Sequence, residues 1–222
     1  MSLQKETHHI MPSKNADTKL EKSIQLNEVF WTLQGEGRWT GHRALFVRFP
    51  FCNYDCPWCD TDYSSFEKWN EKNFVDMTRQ EKAKLAVLTG GEPMAHKHLM
   101  DVIRLLKGEG FVIACETNGS LPVPKEVDWV TTSPKRYTQG KWEPYFIHPS
   151  VLNRTNEWKY VVDADFDFNI LNRHHTKGSE QIFSLSPEYS EFEKNTHRIL
   201  EFIKENPAWK LSLQTHKWLG IR

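Results

Sequence analysis

Cys52, Cys56 and Cys59 stand within eight residues in the spacing C-x3-C-x2-C. Clustered thiolates bind soft metals, and three of them can ligate three irons of a cubane iron–sulfur cluster. The fourth iron then keeps an open position. A four-cysteine site is closed and serves to carry electrons or staple a fold, whereas a site one ligand short leaves room for chemistry at the metal. Zinc is the other metal to weigh, with His42 or Asp60 as a fourth ligand. Structural zinc sites usually pair two short cysteine knuckles, and this sequence has no second one. Cys115, the remaining cysteine, lies in the apolar run Phe111–Glu116 and reads as a small buried hydrophobe.

Other residues capable of chemistry follow apolar runs. Thr89-Gly-Gly-Glu-Pro93 offers glycines that let backbone approach a ligand and, at Glu92, an acceptor for an ammonium group. Glu116-Thr-Asn-Gly119 and Thr132-Ser-Pro-Lys135 are similarly placed. Each alone is an ordinary turn signature; their succession downstream of the cysteines carries the weight. Arg48, four residues before Cys52, has the fork that suits a carboxylate.

These residues need a frame. Ile24–Phe30, Ala44–Phe49, Leu85–Thr89, Phe111–Thr117, Trp129–Thr132, Trp158–Val162, Ile182–Leu185 and Leu211–Gln214 read as strands. Thr78–Lys84, His98–Lys107 and Glu188–Glu205 read as helical. Strands separated by helices make βα units with parallel pairing, and ligands gather at the carboxyl ends of such strands. A complete eight-unit barrel takes about 250 residues. With 222 residues and a polar tail over 1–23, this α/β chain fits an incomplete, open parallel β/α barrel formed by a single domain over 24–222.

Lysine plus arginine equals aspartate plus glutamate at 29 each, so no bulk basic field argues for nucleic acid or a membrane surface. No apolar stretch is long enough to span a bilayer, and no signal peptide or disulfide framework is evident. A reducing, cytoplasmic setting suits the thiols.

The cysteine triad, Gly-Gly-Glu-Pro and strand-end Glu116 together resemble the radical S-adenosylmethionine superfamily. Finer blocks are similar to its 7-carboxy-7-deazaguanine synthase family, from the queuosine and deazapurine pathway. They are Glu28–Gly37 (EVFWTLQGEG), Gly41–Arg48, Cys56-Pro-Trp-Cys-Asp-Thr61, Leu88–Pro93, Glu116–Gly119, Ser133–Lys135 and Leu213–Lys217. The resemblance runs from about residue 25 onward. It implies a [4Fe-4S] cluster on Cys52, Cys56 and Cys59 whose free iron chelates S-adenosylmethionine, giving methionine and a 5′-deoxyadenosyl radical on reduction. The radical takes hydrogen from 6-carboxy-5,6,7,8-tetrahydropterin, whose ring contracts with loss of ammonia to 7-carboxy-7-deazaguanine.

By motif position, Gly91 and Glu92 face the methionine amino group, Glu116 and Ser133, Pro134 and Lys135 contact the ribose or carboxylate, and Trp58, Cys59 and Asp60 lie beside adenine. Leu33, Gln34, Gly35, Arg48, Thr89 and His216 are implied for the pterin, with Lys217 beside His216, and Thr61 for Mg²⁺. The resemblance also implies a homodimer and an electron donor such as flavodoxin. Ser186-Pro187 stands where the family often has glutamine before the proline, so no cofactor contact is assigned there. Residues 64–84 match no family feature. A glycyl-radical activase would share the triad but has no reason to keep Leu-Gln-Gly-Glu-Gly or Trp-Cys-Asp-Thr. An electron-transfer or zinc module would close the metal with a fourth side chain.

Overall fold

The computed structural model describes residues 23–59, 61–62, 64–135, 137–138, 141–142, 146–173 and 180–222. Apart from Ser23, the tail expected over 1–23 lies outside them. In chain order, β1 (Ile24–Leu26) is followed by β2 (Glu28–Leu33), β3 (Arg43–Phe49), β4 (Glu67–Trp69), α1 (Glu71–Thr78), β5 (Leu85–Gly90), α2 (Leu99–Gly108), β6 (Val112–Thr117) and β7 (Trp129–Thr132). Then come the short hairpin β8 (Tyr137–Thr138) and β9 (Lys141–Trp142), α3 (Pro149–Leu152), β10 (Glu157–Val162), β11 (Ile182–Pro187), α4 (Phe192–Glu205), β12 (Trp209–Leu211) and α5 (Thr215–Leu219).

The main sheet has the order β12-β11-β10-β7-β6-β5-β3-β2. Every neighbouring pair in it is parallel except β2 and β3, whose antiparallel ladder joins Glu28 to Arg48 and Leu33 to Arg43. Period-2 alternation sorts the side chains. Leu45, Val47 and Phe49 of β3, Leu88 of β5 and Ile113 of β6 pack on one face against Phe74 of α1 and Val102, Ile103 and Leu106 of α2. Each such aliphatic burial stabilises by roughly 1.5–3 kcal/mol. Phe46, Val87 and Ala114 point the other way and fill the inner face. One step further along each strand, that inner face turns polar: Arg48 is registered with Thr89, and Glu116 with Thr131. On the far side Thr131 is registered with Glu157, and Lys159 with Ser184.

The sheet leaves β2 and β12 as edges, so the barrel is open. Loop contacts bridge the gap. Thr215 donates to the Gly35 carbonyl from its amide (3.1 Å) and its hydroxyl (2.9 Å), and the Gly37 amide donates to Ser212 Oγ at 3.2 Å. Gly35 must be glycine, because an added Cβ would lie 2.2 Å from His216 Nδ1.

Several elements depart from expectation. The helix expected over Thr78–Lys84 lies earlier, at Glu71–Thr78, where Asn70 caps it by accepting from the Asn73 amide at 2.8 Å. Residues 64–84, unmatched by motif, therefore supply β4 and α1. The strand expected over Ile24–Phe30 divides, its first part pairing with β4 and its second with β3. Leu211–Gln214 is the end of β12 and the approach to α5, not a strand of its own.

Candidate active site

The cysteine loop begins where β3 ends, and the Gly90-Gly91 turn of β5 supports it. The Gly91 amide donates to Phe49 O (2.9 Å) and the Glu92 amide to Phe51 O (3.0 Å). A Cβ on Gly91 would sit 1.6 Å from Phe51 O, and Gly90 has φ +110. The two glycines thus let the cysteine loop lie directly on the β5 backbone. Phe51 itself takes φ 61, a left-handed conformation uncommon outside glycine, immediately before Cys52. Asn53 anchors the next turn, donating to Ser120 Oγ and accepting from Asn118 Nδ2, both at 2.9 Å. The Cys59 amide donates to Cys56 O at 3.1 Å, closing the turn that carries Trp58.

Cys52, Cys56 and Cys59 all line one cavity of about 490 Å³, within the roughly 300–1,000 Å³ of small-molecule sites. None of the cysteines is in a disulfide. Burial pushes the Cys56 thiol up to about 11, with Lys135 opposing it, and raises Cys52 as well. Iron would supply the positive charge that draws such thiols into the thiolate form. Among the described residues, no three His, Cys, Asp or Glu side chains converge on the position of a single ion. The three thiols on one cavity are the donor set that three irons of a cluster take. His42, the alternative fourth zinc ligand, instead sets Nδ1 3.1 Å from the Trp39 carbonyl in the β2–β3 turn. Trp58 also fits a cavity with a guest: its indole nitrogen is buried without a hydrogen-bond partner among the described residues. Lys135 lies 5.3 Å from its ring and donates to Ser133 Oγ at 2.5 Å.

The same cavity collects Leu33, Gln34, Gly35, Arg48, Thr61, Thr89, Gly91, Glu116, Ser133, Lys135 and His216. Glu92 does not join them. Its carboxylate is buried and accepts from the Asn118 amide (2.7 Å), Thr117 Oγ1 (2.8 Å) and the Met94 amide (3.0 Å). In this arrangement the carboxylate, expected to face a ligand ammonium, ties the ends of β5 and β6 together. Burial outweighs those donors and raises its pKa. Pro134 is buried but absent from the cavity wall, and Asp60 lies outside the described residues. Cys115 is fully buried, and burial pushes its thiol well up.

Sequence reasoning missed a charged group at the heart of the cavity. Lys159 Nζ donates to Glu36 Oε2 at 2.6 Å and stands 3.8 Å from Glu116 Oε2. Glu36 Oε1 accepts from Gln214 Nε2 at 3.0 Å, and Glu116 Oε1 from Gln34 Nε2 at 2.9 Å. Thr89 Oγ1 lies 3.4 Å from Glu116 Oε2. Burial works against the charge on Glu36, but Lys159 holds its carboxyl below the ordinary range. Burial likewise opposes the Lys159 ammonium, and Glu116 and Glu36 more than compensate. A signal was present: a lone lysine in the apolar strand Trp158-Lys-Tyr-Val-Val162 is rarely buried unless paired.

Comparison with known proteins agrees with this geometry. The family profile described as the Radical SAM superfamily matches residues 46–135. The chain is 34% identical over 208 residues to the 7-carboxy-7-deazaguanine synthase of Haemophilus influenzae, covering 90% of this chain and 95% of that one. It is 36% identical to the enzyme of the same name from Neisseria meningitidis, covering 87% and 92%. The crystal structure of QueE from Escherichia coli superposes with a TM-score of 0.72 at 29% identity, covering 86% of this chain and 94% of that one.

Proposed function

The chain belongs to the 7-carboxy-7-deazaguanine synthase family of the radical S-adenosylmethionine superfamily, and from that membership we propose that it converts 6-carboxy-5,6,7,8-tetrahydropterin to 7-carboxy-7-deazaguanine with release of ammonia. The observation that carries this reading is the meeting, around one cavity, of the three thiols with the family-like residues of β3, β5, β6, β7 and the C-terminal segment. When bound, a [4Fe-4S] cluster on these thiols would pass an electron from an external donor to S-adenosylmethionine and so supply the radical chemistry. The protein's part is to hold, orient and enclose.

Cys52, Cys56 and Cys59 hold the cluster. Gly91 offers close backbone approach to the methionine end of the cofactor, while Trp58, Ser133 and Lys135 flank its other groups. Arg48 takes the pterin carboxylate, a task that suits a planar two-pronged donor. Gln34, the Leu33 and Gly35 backbone, Thr89 and His216 receive the polar pterin edge. Glu116 stands between the two ligands, at the cofactor's ribose or carboxylate and bonded to Gln34. Thr61 contributes one oxygen to Mg²⁺, whose remaining positions go to substrate and water, as is common for this ion. Residues 24–222 act as one domain, the working unit is a homodimer, a flavodoxin-like protein supplies the electron, and the setting is cytoplasmic. No helix among the described residues is long and apolar enough to cross a membrane.

The test is a product assay on anaerobically reconstituted protein with reductant, S-adenosylmethionine, Mg²⁺ and 6-carboxytetrahydropterin. Mass spectrometry should find 7-carboxy-7-deazaguanine. Formation of 5′-deoxyadenosine alone would leave the superfamily and remove the substrate. Chelation of Mg²⁺, or Thr61→Ala, should slow product formation; indifference to both would remove the Mg²⁺ assignment.

A further inference from the structure

Lys159 is held by two carboxylates in the cavity wall and has no counterpart among the residues that the family resemblance assigns. Its ammonium, on β10, meets carboxylates from two other parts of the chain: Glu36 from the β2–β3 loop and Glu116 from the end of β6. Their side chains are only 10%, 12% and 25% exposed. Both carboxylates bond onward to an amide, Glu116 to Gln34 and Glu36 to Gln214. Gln34 lies next to Gly35, whose carbonyl receives the two bonds that bridge the open edge of the barrel. One lysine therefore stands at the junction of the substrate wall and the barrel's seam.

We infer that Lys159 is a positioning residue for the pterin pocket, acting through Glu36 and Glu116 to fix Gln34 and the seam loop where the substrate's polar edge must bind. The inference rests on the synthase reading. Two carboxylates largely withdrawn from water beside one cavity carry a desolvation cost that a shared cation offsets. Lys159 supplies that cation. The groups facing the network are Glu157 and Lys135 toward Lys159, and Gln214 and His216 toward Glu36. Of these, Glu157 is already engaged, accepting from Ser184 Oγ (2.9 Å) and the Arg38 amide (3.0 Å). Lys135, which also faces Glu36, lies beside Trp58 and donates to Ser133 Oγ at 2.5 Å. Glu157 adds a further negative charge beside Lys159, and Lys135 cannot replace Lys159 without leaving Ser133 and Trp58.

The experiment measures binding of 6-carboxytetrahydropterin, by fluorescence on the cluster-loaded full chain, for wild type, Lys159→Met, Lys159→Arg and the double variant Glu36→Met/Lys159→Met. Product formation by the wild type is followed alongside. Lys159→Met should weaken pterin binding at least about 100-fold, the scale for breaking one side of a buried ion pair, and change S-adenosylmethionine binding by less than about tenfold. The acid limb of its pterin binding should also move to higher pH, because the Lys159 charge that holds the Glu36 carboxyl below the ordinary range is gone. Lys159→Arg should recover part of the affinity. The double variant replaces the pair by apolar volume, so it should fold while keeping the weak binding. The inference is overturned if Lys159→Met or the folded double variant binds pterin as the wild type does. Equal losses for both ligands, or an unchanged acid limb, would overturn it too. Absence of product from the wild type would instead bring down the synthase reading, and this inference with it.

Discussion

Gln34 Nε2 lies 2.9 Å from Glu116 Oε1, so a residue of the β2–β3 loop is bonded to the end of β6, 82 positions later. The loop is thereby pulled across the mouth of the open barrel and its amide is aimed at one fixed point of the cavity wall.

Gln34→Leu keeps the volume but leaves a Glu116 oxygen short of its donor. An acceptor that loses its donor costs the fold up to about 1–3 kcal/mol, so the unfolding midpoint should fall, and with the amide no longer held at the pterin edge KM for the pterin should rise roughly 10-fold. Steady-state kinetics with varied pterin would show this; an unchanged KM would mean the contact does not shape the substrate site.

Gly91→Ala should damage the cluster loop from beneath. Its new Cβ would meet Phe51 O at 1.6 Å, and that atom is backbone with nowhere to go. Overpacking of this kind costs about 1–3 kcal/mol or more. The expected outcome is reduced iron content per chain after reconstitution, alongside a lowered unfolding midpoint. Gly108→Ala, at a position where an added Cβ meets nothing within 4 Å, is the control and should retain full iron.

Removal of a single thiol should separate cluster binding from folding. Cys56 sits in a loop turn, outside the core clusters, and its main-chain oxygen accepts from the Cys59 amide. Cys56→Ala should therefore fold with the wild-type circular dichroism spectrum, fail to develop the visible absorbance of the cluster, and form neither 5′-deoxyadenosine nor deazapurine. Retention of a full cluster would show that another side chain can complete the set.

Acid should weaken the fold through His96. Burial lowers its pKa to about 4, with the charges of His98 and Lys97 adding to the effect. The ring packs 5.2 Å from Phe49, and its Nδ1 accepts from the His98 amide at 3.3 Å. The unfolded chain binds the proton near pH 6.5 and the folded chain near 4, so between these values the unfolded state holds more protons. Stability is then full above about pH 6.5 and falls as pH drops toward 4. The loss from this group is about 1–2 kcal/mol once solvent screening at a partly open ring is allowed for. Urea midpoints at pH 5 and 7.5 should differ less in His96→Phe than in the wild type; identical differences would assign the acid sensitivity elsewhere.

Much of this molecule is written locally. The C-x3-C-x2-C spacing specifies thiol chemistry whatever surrounds it, because ligand type and spacing are properties of a short segment. The alternation in Ala44–Phe49 and the helical period of Leu99–Leu106 state which faces are buried, since strand and helix geometry repeat within a few residues. Boundaries were less legible at Thr78–Lys84, where charged residues mimic a helix whose actual capped start is Asn70.

The sequence by itself therefore determined the metal-binding residue types, the βα alternation, and the motif blocks that carry the family resemblance. Only the tertiary structure decided that Gly91 faces the cavity while Glu92 turns to Thr117 and Asn118 behind it. It alone brought Glu36 to Lys159, 123 positions away, and tied Gly35 to Thr215 across the open edge. The physical reason is the same in each case. Periodicity and spacing act over a turn of helix or a few strand residues, whereas the partner of a buried charge depends on how the sheet curls and where its two edges are brought together.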